Sequence, residues 1–78
     1  MPTVLRVGGY RFFFVSLDRD EPPHIHVRSE NKIAKFWLDP VALERMGGFS
    51  RVEINSIITS VQEHRELFLE KWHEFFGR

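Results

Sequence analysis

The stretch from His24 to Leu38 constrains the fold most. Two runs, His24 to Ser29 and Ile33 to Leu38, flank Glu30-Asn31, and Asn tolerates the left-handed conformation that a hairpin turn can require. Successive side chains of a strand point to opposite faces, so a turn centred on Glu30-Asn31 sets Ile25 opposite Phe36 and Val27 opposite Ala34. With Leu38 these residues form one apolar face. The other face carries His24, His26, Arg28, Lys35 and Trp37. A one-residue slip of either strand would set apolar side chains of one strand beside polar ones of the other, so the pattern specifies the register.

Upstream, Thr3 to Val7 and Tyr10 to Ser16 are β-branched or aromatic runs joined by Gly8-Gly9, a pair suited to a tight hairpin turn. Tyr10, Phe12 and Phe14 fall on one side and Phe13 and Val15 on the other. Strand two is therefore apolar on both faces and is predicted to lie inside the sheet. Asp18 to Pro23 is acidic and ends in two prolines, which lack the amide proton of a sheet ladder, and reads as a loop.

Downstream, Asp39-Pro40 has the form of a helix start and Gly47-Gly48 of a stop, which predicts a short helix of about two turns. Ser50-Arg51-Val52-Glu53 matches a capping box, in which Ser and Glu side chains satisfy orphan amides at a helix start. Ile54, Ile57, Ile58, Val61, Phe68, Trp72, Phe75 and Phe76 then recur at helical spacing, predicting one long amphipathic C-terminal helix that ends at Gly77. The expected fold is α+β: one domain over residues 1–78, with a small antiparallel sheet of about four strands packed with a short and a long helix. There is no internal repeat or low-complexity segment.

A chain of 78 residues buries only about 60–65% of the surface it exposes when unfolded. Its eight Phe and two Trp exceed what so small a core needs, which points to a homodimer or a bound partner. Eleven basic and eleven acidic residues cancel, so attraction to nucleic acid must come from a local patch, and no general pull toward an anionic membrane exists. The absence of cysteine excludes a disulfide framework, a thiolate nucleophile and cysteine-ligated metal, and suits a reducing cytosol, so a cytoplasmic location is expected. Arg6, Gly8, Gly9 and Arg11 interrupt the apolar run that a signal peptide requires, and no run is long enough to span a bilayer.

The sharpest chemical feature is His24-Ile25-His26 after Glu21-Pro22-Pro23. Alternation puts both imidazoles on one face with Cα atoms about 7 Å apart. Such a pair can bind a divalent metal, act as an acid and base near neutral pH, contact phosphate, or simply face solvent. Arg28, Lys35 and Trp37 flank the pair and form a small cationic patch with an aromatic surface on which a base can stack, the best local candidate for an RNA site. Glu21 and Asp18 can supply a metal ligand or a hydrogen bond to a histidine. His64 and His73 lie nine residues apart on the predicted helix, point in roughly opposite directions and do not share a site.

Several segments together resemble the small bacterial family known as domain of unknown function 4160. They are Pro2-Thr3-Val4-Leu5-Arg6, Gly8-Gly9-Tyr10-Arg11-Phe12-Phe13, Glu21-Pro22-Pro23-His24-Ile25-His26-Val27, Lys35-Phe36-Trp37-Leu38 and Trp72-His73-Glu74-Phe75-Phe76. The resemblance runs nearly end to end, and the Glu-Pro-Pro-His-Ile-His-Val segment is its most specific part. It implies a toxin–antitoxin-type pair with a second small protein and an RNA-directed activity, and it nominates His24 and His26 for the site with Glu21 in support. The expectation is therefore an RNA-directed toxin that works without a cofactor. The alternatives are a non-enzymatic binding module, antitoxin or scaffold, and a domain that holds a divalent transition metal on the same histidines.

Overall fold

Strand alternation and turn chemistry carry through to the tertiary structure. The computed structural model describes residues 3–77; Pro2, at the head of the first family-like segment, lies outside them. Strands β1 (Thr3–Val7), β2 (Tyr10–Phe13), β3 (His24–Ser29), β4 (Lys32–Leu38) and β5 (Val41–Arg45) form one antiparallel sheet in the order β1-β2-β3-β4-β5. Helices α1 (Arg51–Glu63) and α2 (Arg65–Phe76) follow. The architecture is α+β.

The β3-β4 register is the one the sequence pattern requires, with Ile25 paired to Phe36 and Val27 to Ala34. The turn takes its positive φ of 57° at Glu30 rather than at Asn31. Strand β2 is an interior strand, as its two apolar faces demand, but it ends at Phe13. Phe14 leaves the ladder because its ring is taken up by α2, 5.4 Å from Trp72 and 6.0 Å from both Phe75 and Phe76 between ring centroids. The chain then closes a short 3-10 turn over Ser16–Asp18.

Two expectations are corrected. The segment after Asp39-Pro40 is not a short helix but the fifth strand. Pairing of Leu38 with Val41 makes Asp39-Pro40 a two-residue hairpin loop, and β5 satisfies backbone groups that β4 would otherwise leave unpaired. Gly47-Gly48 is consequently no helix stop. At Gly47, with φ of +65°, a Cβ would lie 1.7 Å from the Ile33 carbonyl oxygen, so glycine is what lets the chain cross the start of β4.

The long helix is in fact two. They meet at His64 (φ −106°, ψ 14°), whose Nδ1 lies 2.9 Å from the Ser60 carbonyl that its own backbone N–H also reaches. Arg65 fixes the junction from outside, donating to the Leu38 carbonyl at 2.8 Å and to Asp39 at 2.9 Å. The capping box at Ser50 and Glu53 forms as expected, and Gly77 ends α2 in the left-handed conformation.

Both helices cover the same face of the sheet. Ile54, Ile57, Val61, Phe68 and Trp72 are buried against Phe12, Phe14, Ile25, Val27, Phe36 and their apolar neighbours. Phe75 stays 41% exposed. No helix among the described residues is long and apolar enough to cross a membrane.

Candidate functional site

The second face of the sheet is covered by a loop instead of a helix. Residues 14–23 fold back across it, held by an Asp18 N–H to Val15 carbonyl bond, a Glu21 N–H to Asp18 carbonyl bond and a Leu38 N–H to Pro23 carbonyl bond, each 3.0 Å. The two prolines carry the chain into β3 at the point where the last of these bonds clamps it to β4. This path delivers one carboxylate, that of Asp18, between two histidines.

His24 and His26 alternate onto this face as the strand period requires. Asp18 Oδ2 lies 2.8 Å from Nε2 of His24 and 3.0 Å from Nε2 of His26. On the far side of the His24 ring, Nδ1 is 2.9 Å from the Pro22 carbonyl oxygen, and because a carbonyl can only accept, Nδ1–H donates to it. His24 is fully buried, with Trp37 and Trp72 at ring distances of 5.6 and 5.0 Å. Phe13 stacks on His26 at 5.4 Å.

The electrostatics follow from this packing. Burial pushes the Asp18 carboxyl upward, but hydrogen bonds from His26 and His24 and their charge outweigh it and hold the group below the usual carboxylate range. Burial drives His26 below the ordinary imidazole value despite the hydrogen bond to Asp18, and the nearby charges of His24 and Lys35 act in the same direction.

The residues nominated from sequence are brought to one face, in different states. Trp37 stands opposite His24 and Lys35 opposite His26 in the register. Lys35 is buried, bonded to Glu21 at 2.7 Å and placed 4.7 Å from the Trp37 ring centre. Glu21 thus stands on the Nδ1 side of His24, 4.0 Å away, while Asp18 occupies the Nε2 side. Arg28 is exposed and donates to the Glu30 carbonyl at 2.9 Å.

Two further residues were missed. Arg6 pairs with Arg11 across β1-β2 and Arg11 with Arg28 across β2-β3, so three arginines stand side by side on this face. The Gly8-Gly9 hairpin could have revealed the first pairing, since its register opposes Arg6 and Arg11. The second depends on how β2 meets β3 across a ten-residue connection, which no local pattern fixes. Arg11 also donates to Thr3 Oγ1 at 2.7 Å and lies 4.8 Å over the Phe13 ring. Among the described residues no carboxylate pairs with Arg6 or Arg28.

An α+β domain with five antiparallel strands, two helices on one face and a His-Asp-His cluster under a loop on the other is the class that fold and site define. The family described as a domain of unknown function (DUF4160) matches residues 9–73, and the chain belongs to that family. No curated protein and no solved structure matches it.

Proposed function

We propose that the domain is the RNA-binding component of a two-protein, toxin–antitoxin-type pair, and that it meets RNA with the loop-side face of its sheet. The observation that carries the RNA reading is the cross-strand row of Arg6, Arg11 and Arg28. Like charges directly opposite one another on a sheet are destabilising, and a chain with no net charge has carboxylates enough to interleave with them. Instead Glu63, Glu66, Glu70 and Glu74 are exposed on the helices, across the sheet from this row. A phosphate backbone supplies negative charge to Arg6 and Arg28, with which no carboxylate pairs among the described residues, and guanidinium forks suit phosphate geometry. The pairing with a second protein rests on the family resemblance.

In this reading Arg28 keeps the nucleic-acid contact expected of Arg28, Lys35 and Trp37, and Arg6 and Arg11 join it in place of Lys35, which is already engaged by Glu21. His24, fully buried, backs the site rather than touching phosphate, and His26 is the imidazole nearer the surface.

Fluorescence anisotropy with a labelled single-stranded RNA, measured across a salt series, tests it. Three phosphate contacts give a slope of log K against log salt of about −2, and Arg6→Gln or Arg28→Gln each reduces it by about 0.7. Both residues are exposed, so the fold survives the changes. Affinity for an acidic protein without affinity for RNA, or RNA binding indifferent to both substitutions, overturns the proposal.

A further inference from the structure

One ligand atom from each of Asp18, His24 and His26 lies within 4.8 Å of the other two, and Asp18 Oδ2 stands 2.8 and 3.0 Å from the Nε2 atoms of His24 and His26. His24 Nδ1–H is spent on the Pro22 carbonyl, and Nε2 faces a carboxylate oxygen 2.8 Å away, a contact that needs either a second ring proton or a metal ion between the two atoms. Two groups that both offer lone pairs repel unless a positive centre sits between them. We infer that His24, His26 and Asp18 are the three protein ligands of a divalent transition-metal site, coordinating through Nε2, Nε2 and Oδ2.

Three features favour a metal ion over a bare proton as that centre. Three ligand-type atoms, contributed by β3 and by the loop that leads into it, lie within 4.8 Å of one another, whereas a proton needs only two. A metal-bound imidazole characteristically donates its other N–H to a carbonyl or carboxylate, and His24 Nδ1–H donates to the Pro22 carbonyl. Phe13, Trp37 and Trp72 wall the rings, which holds their orientation and keeps competing water from that side.

The donor set narrows the ion. Two imidazoles and one carboxylate suit manganese, iron, cobalt, nickel or zinc, while calcium and magnesium favour oxygen donors. Ligand distances of about 2.0–2.2 Å place neighbouring donors about 3 Å apart, close to the present separations from Asp18. Three protein ligands leave at least one position open. The His24 side chain is wholly buried, whereas those of His26 and Asp18 keep 12% and 18% of their exposure, so the open position faces outward past His26 and Asp18. Binding also ties the Ser16–Pro23 loop to β3. The site is independent of RNA binding, and either can fail alone.

The test uses the full chain without a polyhistidine tag, stripped with chelator and titrated with cobalt(II), zinc(II) and manganese(II) by calorimetry, with visible absorption as the cobalt readout. One equivalent is expected to bind, with a cobalt d–d band. His26→Ala and Asp18→Asn should each weaken binding by at least the 10–100-fold that loss of an outer-shell partner costs. His73→Gln, an exposed position on α2, should bind as the parent does. Because a variant can lose metal by losing its fold, long-range nitrogen NMR spectra of the parent chain supply a second readout: zinc should shift the Nε2 resonances of His24 and His26 and leave those of His64 and His73 in place. Absence of stoichiometric binding at 100-micromolar metal, added in that amount by design, or a shift confined to His64 or His73, overturns the proposal.

Discussion

The two faces of this sheet are buried by different means. On the helix side, Phe12, Ile25, Val27, Ala34 and Phe36 are fully buried in an apolar layer with Ile57, Val61 and Phe68, where contacts are numerous and non-directional. On the loop side, the loop before β3 lies over His24, His26 and Lys35, with Trp72 of α2 also against His24, and burial is tolerated only because each polar group has a named partner: Asp18, Pro22 or Glu21. No buried side-chain nitrogen or oxygen among the described residues lacks one. The first face is built for stability. The second concentrates charged and ionisable groups where a small domain gains least from them.

The comparison breaks most readily on the helix side. Phe36→Ala, which empties a fully buried position, should cost about 3–5 kcal/mol in urea denaturation, a large share of the stability of so small a domain. A cost below about 1 kcal/mol would show that the helices do not define the main core.

On the loop side the effect should be smaller. Asp18→Ala, measured in chelator so that no metal contributes, leaves two imidazole nitrogens without their acceptor and should cost about 1–3 kcal/mol. An unchanged midpoint would mean that the loop is not anchored through this cluster.

The smallest effect belongs to the start of α1. Glu53 accepts from the Ser50 backbone N–H and from Lys32, which holds its carboxyl below the usual glutamate range. The sign follows directly: the unfolded chain binds the proton more readily, so this stabilisation is present above the unfolded glutamate value of about 4.3 and is lost as pH falls through the lower folded value. Glu53→Gln should flatten that part of the stability curve between pH 5 and 3, as read by thermal melts at stepped pH. An unaltered acid limb would assign the pH dependence to Asp18 instead, whose carboxyl is also held below its usual range.

Much of the scaffold was legible because its signals are local. Hairpin registers follow from alternation around Glu30-Asn31 and Gly8-Gly9, and the capping box and Gly77 mark helix ends by the hydrogen bonds that their own residues make. Asp39-Pro40 misled because the same dipeptide serves a helix start and a tight turn. The unpaired edge of β4 decided between them. The break at His64 was invisible because it carries neither Gly nor Pro, and the contacts of Arg65 with Leu38 and Asp39 cross 27 and 26 residues of chain.

The candidate site divides along the same line. Strand periodicity by itself put His24, His26, Arg28, Lys35 and Trp37 on one face, since side-chain direction in a strand depends only on position in the pleat. Which carboxylate would meet the imidazoles, that His24 would be sealed between two tryptophans, and that Arg6 and Arg11 would line up with Arg28 were decided by tertiary structure. Those arrangements depend on how a ten-residue loop closes over a sheet and on which strands become neighbours. Both are set by the packing of the whole chain, and neither leaves a periodic trace in the residues that end up in contact.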